Sequence, residues 1–359
     1  TMERLTPHPK DQMTPKERMT AMLAGQPIDR LPCVPFLGEP SVALLGCTVR
    51  DYWHNADLMV QAELAAFQRF GQDSVGAGPD AYGLAEALGS ELEFPLYGPP
   101  FVKRPLLSSY DDLDRLEPFR PQQDGRLPLF LEVCQRLQQA AGDVIGVGSS
   151  VAGPFTIAAY LRGVDEILRD VYKEGEQVHR LMQYVADACK AWIDLVAPLG
   201  VGISMADPLA SPSVLNPKLF GEYVFPYFVQ IVDHAWKKTG QKPSLHMCGL
   251  TYKIWPYLKQ LHISGLSLDN VIDLARAREE LGDTLCLMGN VDPVKVIQAG
   301  PPERIRQAVA ECVAKAGANP KGFVVASGCQ IPVGTPMEHV EAMVDAVRAL
   351  GGSCRQPCQ

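Results

Sequence analysis

From about Leu127 onward the chain alternates segments of helical period with short β-branched runs, and this alternation limits the possible folds more than any other feature. Helical periodicity marks residues 127–141, 165–173, 176–197, 217–238, 254–260, 273–281, 302–316 and 337–349. Strand candidates lie between them at 144–148, 201–205, 243–246, 264–268, 284–289 and 322–327, bounded by glycine, serine or aspartate. Strand followed by helix, repeated at least five times, predicts an α/β fold with a helix-covered parallel sheet. Its length fits a (β/α)8 TIM barrel better than two doubly wound halves. No G-x-G-x-x-G follows a strand and no P-loop is present, so neither nucleotide fingerprint supports the doubly wound alternative.

Upstream, Thr14-Pro15-Lys16-Glu17 reads as a capping box with proline at the first helical position, and Gly25 closes that helix. A helical extension over residues 1–30 is therefore expected ahead of the barrel, within a single domain spanning 1–359. A second helix is expected from about Asp57 to Phe70, stopped by Gly71. Residues 73–98, rich in glycine and small side chains, read as loops over a pocket.

With 47% hydrophobic and 21% charged residues, 359 residues can bury a substantial core. A net charge of −8 and no long basic run give no reason to expect nucleic acid or an anionic membrane as partner, which leaves a small molecule or another protein. No apolar run approaches the roughly 20 residues that span a bilayer, and the first ten residues lack a signal-like apolar core. A cytoplasmic location is expected, and Thr1 ahead of Met2 reads as an addition. In that compartment ten cysteines suggest thiols, metal ligands or catalytic groups rather than disulfides. Cys33, Cys134, Cys189, Cys286 and Cys312 read as small core residues, and Cys354 with Cys358 as a pair that could bind a metal in the tail.

In a barrel, chemistry gathers just past the C-terminal ends of the strands. The residues there are Ser149 and Ser150, Asp207, His246 and Cys248, Asp269 and Asn290, then Cys329 followed by Gln330. His246 and Cys248 are two apart at a strand end, so both side chains can face one object. With Cys329 they make a nitrogen–sulfur–sulfur set suited to zinc, and Asp269 could add a fourth, displaceable ligand. The plainer reading is a buried histidine beside an unrelated core cysteine, with Asp269 capping the next helix and Asp207 turning the chain before proline.

Five motifs then carry a resemblance: G-P-F-T-I-A-A-Y-L-R-G (153–163), M-A-D-P-L-A-S (205–211), L-H-M-C-G (245–249), M-G-N-V-D-P (288–293) and G-C-Q-I-P-V-G-T-P (328–336), with D-R-L-P (29–32) before them. Over nearly its whole length the chain resembles the uroporphyrinogen decarboxylase superfamily. The resemblance implies a (β/α)8 barrel with an N-terminal extension and a cleft at the strands' C-terminal ends. Departures choose the branch. The decarboxylases' arginine-rich stretch after the first strand is P-F-L-G-E-P (35–40) here, and Cys329 stands where they have a histidine.

Cysteine at that place, with H-x-C upstream, is similar to the zinc-dependent corrinoid methyltransferase branch, the methylcobamide:coenzyme M methyltransferases and their demethylating relatives. That resemblance implies Zn2+ on His246, Cys248 and Cys329, with Asp269 completing the shell. It also implies methyl transfer between a corrinoid (methylcobalamin) and a small thiol such as coenzyme M, or from a methoxylated or methylated donor to the corrinoid. No D-x-H-x-x-G signature is present, so the corrinoid is expected on a separate partner protein. Asp80 matches the decarboxylases' catalytic aspartate, and with Asp207 it is the candidate catalytic carboxylate. Tyr160, Ser150, Asn290 and Gln330 are candidate substrate contacts, though a tyrosine on an apolar helix also reads as core. The rival readings are a metal-independent decarboxylase of uroporphyrinogen type and a non-enzymatic zinc-binding or corrinoid-chaperoning component.

Overall fold

Short runs of β-branched residues, buried on both faces, can only pair in a sheet that helices cover on one side and a packed interior fills on the other. The computed structural model, which describes residues 5 to 351, has such a sheet. In pairing order its strands are β1 (Cys33–Val34), β10 (Phe323–Ser327), β9 (Cys286–Val291), β8 (Gly265–Leu268), β7 (Ser244–Met247), β6 (Gly202–Ala206), β5 (Val147–Ala152) and β2 (Val75–Gly76). Neighbours run parallel, with Val325 opposite Gly289 and Met205 opposite Leu245 as examples of the register. Asp73, leading into β2, donates its N–H to the Cys33 carbonyl at 2.9 Å and accepts the Cys33 N–H at 2.7 Å, tying together the strands at the two ends of the order. This is the (β/α)8 barrel fold that the alternation predicts. The other two strands, β3 (Glu91–Glu93) and β4 (Phe101–Arg104), form an antiparallel ribbon of their own.

Burial explains the pattern. β8 and β10 are buried at every residue, and the helix Gly175–Val196 turns Val178, Leu181, Val185, Cys189 and Trp192 inward at three- and four-residue spacing. Cys33, Cys134, Cys189, Cys286 and Cys312 are all buried as small core residues, while Cys354 and Cys358 lie outside the described residues. No helix among the described residues is long and apolar enough to cross a membrane.

The chain groups into two compact units. One holds the chain up to Gly76, Arg136–Val147 and everything from Ser264; the other holds Ala77–Gln135 and Gly148–Ile263. In the first, the helix Pro15–Leu23 begins at the expected capping box, with Thr14 and Glu17 each bonding the other's backbone N–H. That helix is anchored by Arg18, fully buried between Asp29 at 2.7 Å and Asp73 at 2.5 Å.

The structure moves several boundaries. The strands expected at 144–148 and 284–289 begin later, at Val147 and Cys286, because Val144, Ile145, Thr284 and Leu285 donate their N–H groups back to Ala141 or Leu281 and finish the preceding helix. Residues 73–98 are not all loop. They include β2, the helix Asp80–Leu88 and β3, whose small residues carry helix and strand without a visible period. The helix expected over 217–238 is interrupted by a π turn, Phe220–Val224, ahead of Pro226, which cannot donate to the turn before it.

Candidate metal centre and surrounding site

His246 lies within β7 and Cys248 directly follows it, so the alternation of the strand puts both on one side, with Leu245 and Met247 buried on the other. Their facing atoms, His246 Nε2 and Cys248 Sγ, are 3.2 Å apart. Gly249 then takes a φ of +74°, and a Cβ there would lie 2.6 Å from Ser213 Oγ and 2.7 Å from Ser211 Oγ. Only glycine allows this turn, and the Ser211 hydroxyl donates to the Cys248 carbonyl at 2.7 Å to fix it. Cys329 stands two residues past β10, after Gly328, whose N–H extends the ladder to the Val291 carbonyl at 2.8 Å. The ligand atoms of His246, Cys248 and Cys329 all lie within 4.8 Å of one another. A set of one imidazole and two thiols at that spacing has the composition of a zinc site. Asp269 is not in this group; its Oδ1 accepts the Val271 N–H at 3.1 Å in an Asx turn.

The remaining sequence-selected residues divide by what their atoms are already doing. Asp207 is completely buried and caps the helix Pro154–Arg162. It accepts the Phe155 N–H at 3.0 Å, the Thr156 N–H at 2.8 Å and the Thr156 hydroxyl at 2.5 Å. Burial pushes its carboxyl up to about 6 against the pull of those donors. A Cβ on Gly153 would meet Asp207 at 2.3 Å, so the G-P-F-T and A-D-P motifs form one interlocked cap. Asp207 therefore holds the head of that helix. Asn290 gives its amide hydrogens to the Asp269 and Ile272 carbonyls, at 2.9 and 2.7 Å. Gln330 donates to the Leu37 carbonyl at 3.3 Å and to Glu39 Oε2 at 3.2 Å.

Asp80, by contrast, has the one positive φ among described non-glycine residues, +47°, and its Oδ1 accepts the Tyr82 N–H at 2.7 Å. Strain of that kind gathers at functional positions. Tyr160 stacks on Tyr82 with ring centroids 5.0 Å apart. Burial, then the Tyr82 hydroxyl and the charges of Asp80 and Asp207, raise the Tyr160 phenol well above its usual range. Ser150 packs on Gly78, where a Cβ would be 2.7 Å from its Oγ.

Two groups were missed from sequence. Glu39, in the very P-F-L-G-E-P stretch that lacks arginine, is buried and accepts the Trp53 indole N–H at 2.8 Å; burial raises its carboxyl. It sits just past β1, so the strand-end rule would have found it. Tyr82 had no such signal, because its partner Tyr160 is 78 residues away by the two sequence numbers.

Residues 14–350 match the family described as Uroporphyrinogen decarboxylase (URO-D). Among curated relatives, the methylated-thiol–coenzyme M methyltransferase of Methanosarcina mazei is 27% identical over 94% of this chain and 90% of its own length. The methylcobamide:CoM methyltransferase of Methanosarcina acetivorans is 26% identical over 94% and 98%. A solved structure described as a methyltransferase from Methanosarcina mazei shares the fold with a TM-score of 0.83 at 24% identity, covering 94% of this chain and 99% of the other.

Proposed function

Since the chain belongs to the uroporphyrinogen decarboxylase family, we propose that it works as that family's methyl-transferring enzymes do, moving a methyl group between a corrinoid on a separate protein and a small thiol. The observation that carries this reading is the His246–Cys248–Cys329 donor set, absent from a metal-free decarboxylation mechanism and matched in composition to zinc. The coenzyme M methyltransferases among the relatives supply the thiol and the corrinoid.

Bound at the three donors, zinc supplies a Lewis acid that favours the thiolate form of a thiol at neutral pH. The chain's own residues hold the geometry. His246 and Cys248 present from one strand face, the Ser211 hydroxyl pins the Cys248 carbonyl, and the Gln330 amide, bound to Leu37 and Glu39, fixes the backbone beyond Cys329. The set offers three protein donors, so zinc held by His246, Cys248 and Cys329 would be able to take up the substrate sulfur as well. In the thiol-methylating direction that sulfur, as thiolate, would take the methyl group, with the bonding pair left on the corrinoid. In the reverse sense a methylated or methoxylated donor would pass its methyl to the reduced corrinoid, and the S–C or O–C bonding pair would leave with the donor as a thiolate or alkoxide that takes up a proton.

The metal-independent decarboxylase reading rests on Asp80 and Tyr160 standing in one neighbourhood. Buried Glu39 opposes it, because an acid occupies the stretch where a polycarboxylate substrate needs counter-charge. The deciding experiment measures zinc per chain in wild-type protein and Cys329→Ala, then methyl transfer from methylcobalamin to a panel of thiols. About one zinc in the wild type, sharply reduced in the variant, together with thiol methylation supports the reading. Protein that cannot be loaded with zinc and that decarboxylates uroporphyrinogen overturns it.

A further inference from the structure

The end of β9 holds two loops at once. Both amide hydrogens of Asn290 go to the loop after β8, to the carbonyls of Asp269 at 2.9 Å and Ile272 at 2.7 Å, while its Oδ1 accepts from the Cys312 thiol at 3.7 Å. The next residue, Val291, accepts the Gly328 N–H at 2.8 Å. Asp292, after that, accepts the Asn270 amide at 3.2 Å and caps the turn Pro293–Gln298. Gly328 packs so tightly on this loop that a Cβ would lie 2.5 Å from the Asn270 nitrogen. Three successive residues therefore fix the loop that carries Asp269 and the residue immediately before Cys329.

We propose that Asn290 is a positioning residue of the metal centre: it holds the 269–272 loop against Gly328 and thereby sets where Cys329 presents its sulfur. The proposal rests on the zinc reading given above. Its physical basis is that hydrogen bonds one layer behind a ligand orient that ligand, and their loss typically lowers metal affinity by about ten- to a hundred-fold.

The same strands provide a matched control at their opposite ends. Asn319 is also buried, 2% exposed against 9% for Asn290, and gives its amide hydrogens to two carbonyls, Leu285 at 3.0 Å and Gly322 at 2.7 Å, just before β9 and β10 begin. Asn290→Ala and Asn319→Ala each lose a pair of amide-to-carbonyl bonds, Asn290→Ala losing the Cys312 bond as well, and both are expected to lose stability in thermal melts. Only Asn290→Ala is expected to bind zinc about ten- to a hundred-fold more weakly in chelator competition and to shift the thiolate charge-transfer and d–d bands of the cobalt(II)-loaded protein. Wild-type affinity and spectrum in Asn290→Ala, or equal changes in both variants, overturns the proposal. Where Asn290→Ala does not fold, Asn270→Ala cuts the neighbouring tie at a half-buried position, and an unaltered spectrum there overturns it too. Wild-type protein that takes up no metal overturns this proposal together with the functional reading, whereas wild-type binding with unaltered variants overturns this proposal alone.

Discussion

Glu63 shows how burial sets the chemistry of a single group. It is 6% exposed on the helix Ala56–Phe70, accepts one hydrogen bond, from the Gly76 N–H at 3.1 Å, and burial raises its carboxyl from 4.5 to about 7. The folded state binds this proton more tightly than the unfolded chain, so the stability it gives is complete below pH ~4.5 and is lost as pH rises toward ~7. At about 1.4 kcal/mol per unit the loss is ~3 kcal/mol. Urea unfolding below and above this window is expected to show the decline in wild type and a flatter profile in Glu63→Gln. Residues of this kind cannot be found by inspecting the sequence, because a glutamate on a helix is ordinarily solvated. His246, Cys248 and Cys329 were legible because metal-ligating residue types at strand ends are few. Asp207 and Asn290 met the same positional rule, yet their polar atoms bond mainly to backbone groups that no spacing reveals.

At the scale of the element, the helix Pro154–Arg162 depends on a cap from outside itself. Gly153 has no side chain to offer, and Asp207, 54 positions later by the two sequence numbers, satisfies the first N–H groups. Asp207→Ala strands those buried donors as well as removing the cap, and is expected to cost about 2–4 kcal/mol in chemical denaturation. Gly153→Ala is expected to be destabilising as well, since its Cβ would need to share space with Asp207. If either variant unfolds with the wild-type midpoint, the interlocked cap is wrong. The helix at Thr14 could be read in advance because its cap is local, three residues away within one turn. The cap on Pro154–Arg162 could not, for the same reason that β1 and β2 escaped notice: strands of two residues carry no period, and their existence depends on neighbours distant in sequence.

Across the molecule, three arginines and three aspartates from separated stretches meet out of water in the first unit. Arg30 binds Asp11 at 2.9 Å and Asp73 at 2.6 Å, Arg18 joins Asp29 and Asp73, and Arg348 of the last helix reaches Asp11 at 2.9 Å. Burial alone would raise the Asp11 carboxyl, but its hydrogen bonds to Arg30 and Arg348 and their charges hold it well below the usual range. Its contribution is therefore complete above its ordinary value of 3.8 and fades only as pH falls below that. Asp73→Ala leaves two buried guanidiniums short of a partner and is expected to cost about 3–5 kcal/mol in urea denaturation, with thermal melting as a second check. A loss below ~1 kcal/mol would show that water or rearrangement compensates them. The sequence by itself determined the alternation of strand and helix, hence the barrel, and the strand-end positions of the imidazole and thiols, because both follow from local period and residue type. Only the tertiary structure decided which polar atoms are consumed in holding loops and helix ends and which remain to face a ligand. Those bonds join residues tens to hundreds of positions apart, and a buried hydrogen bond is fixed by where the chain returns, which no local pattern encodes.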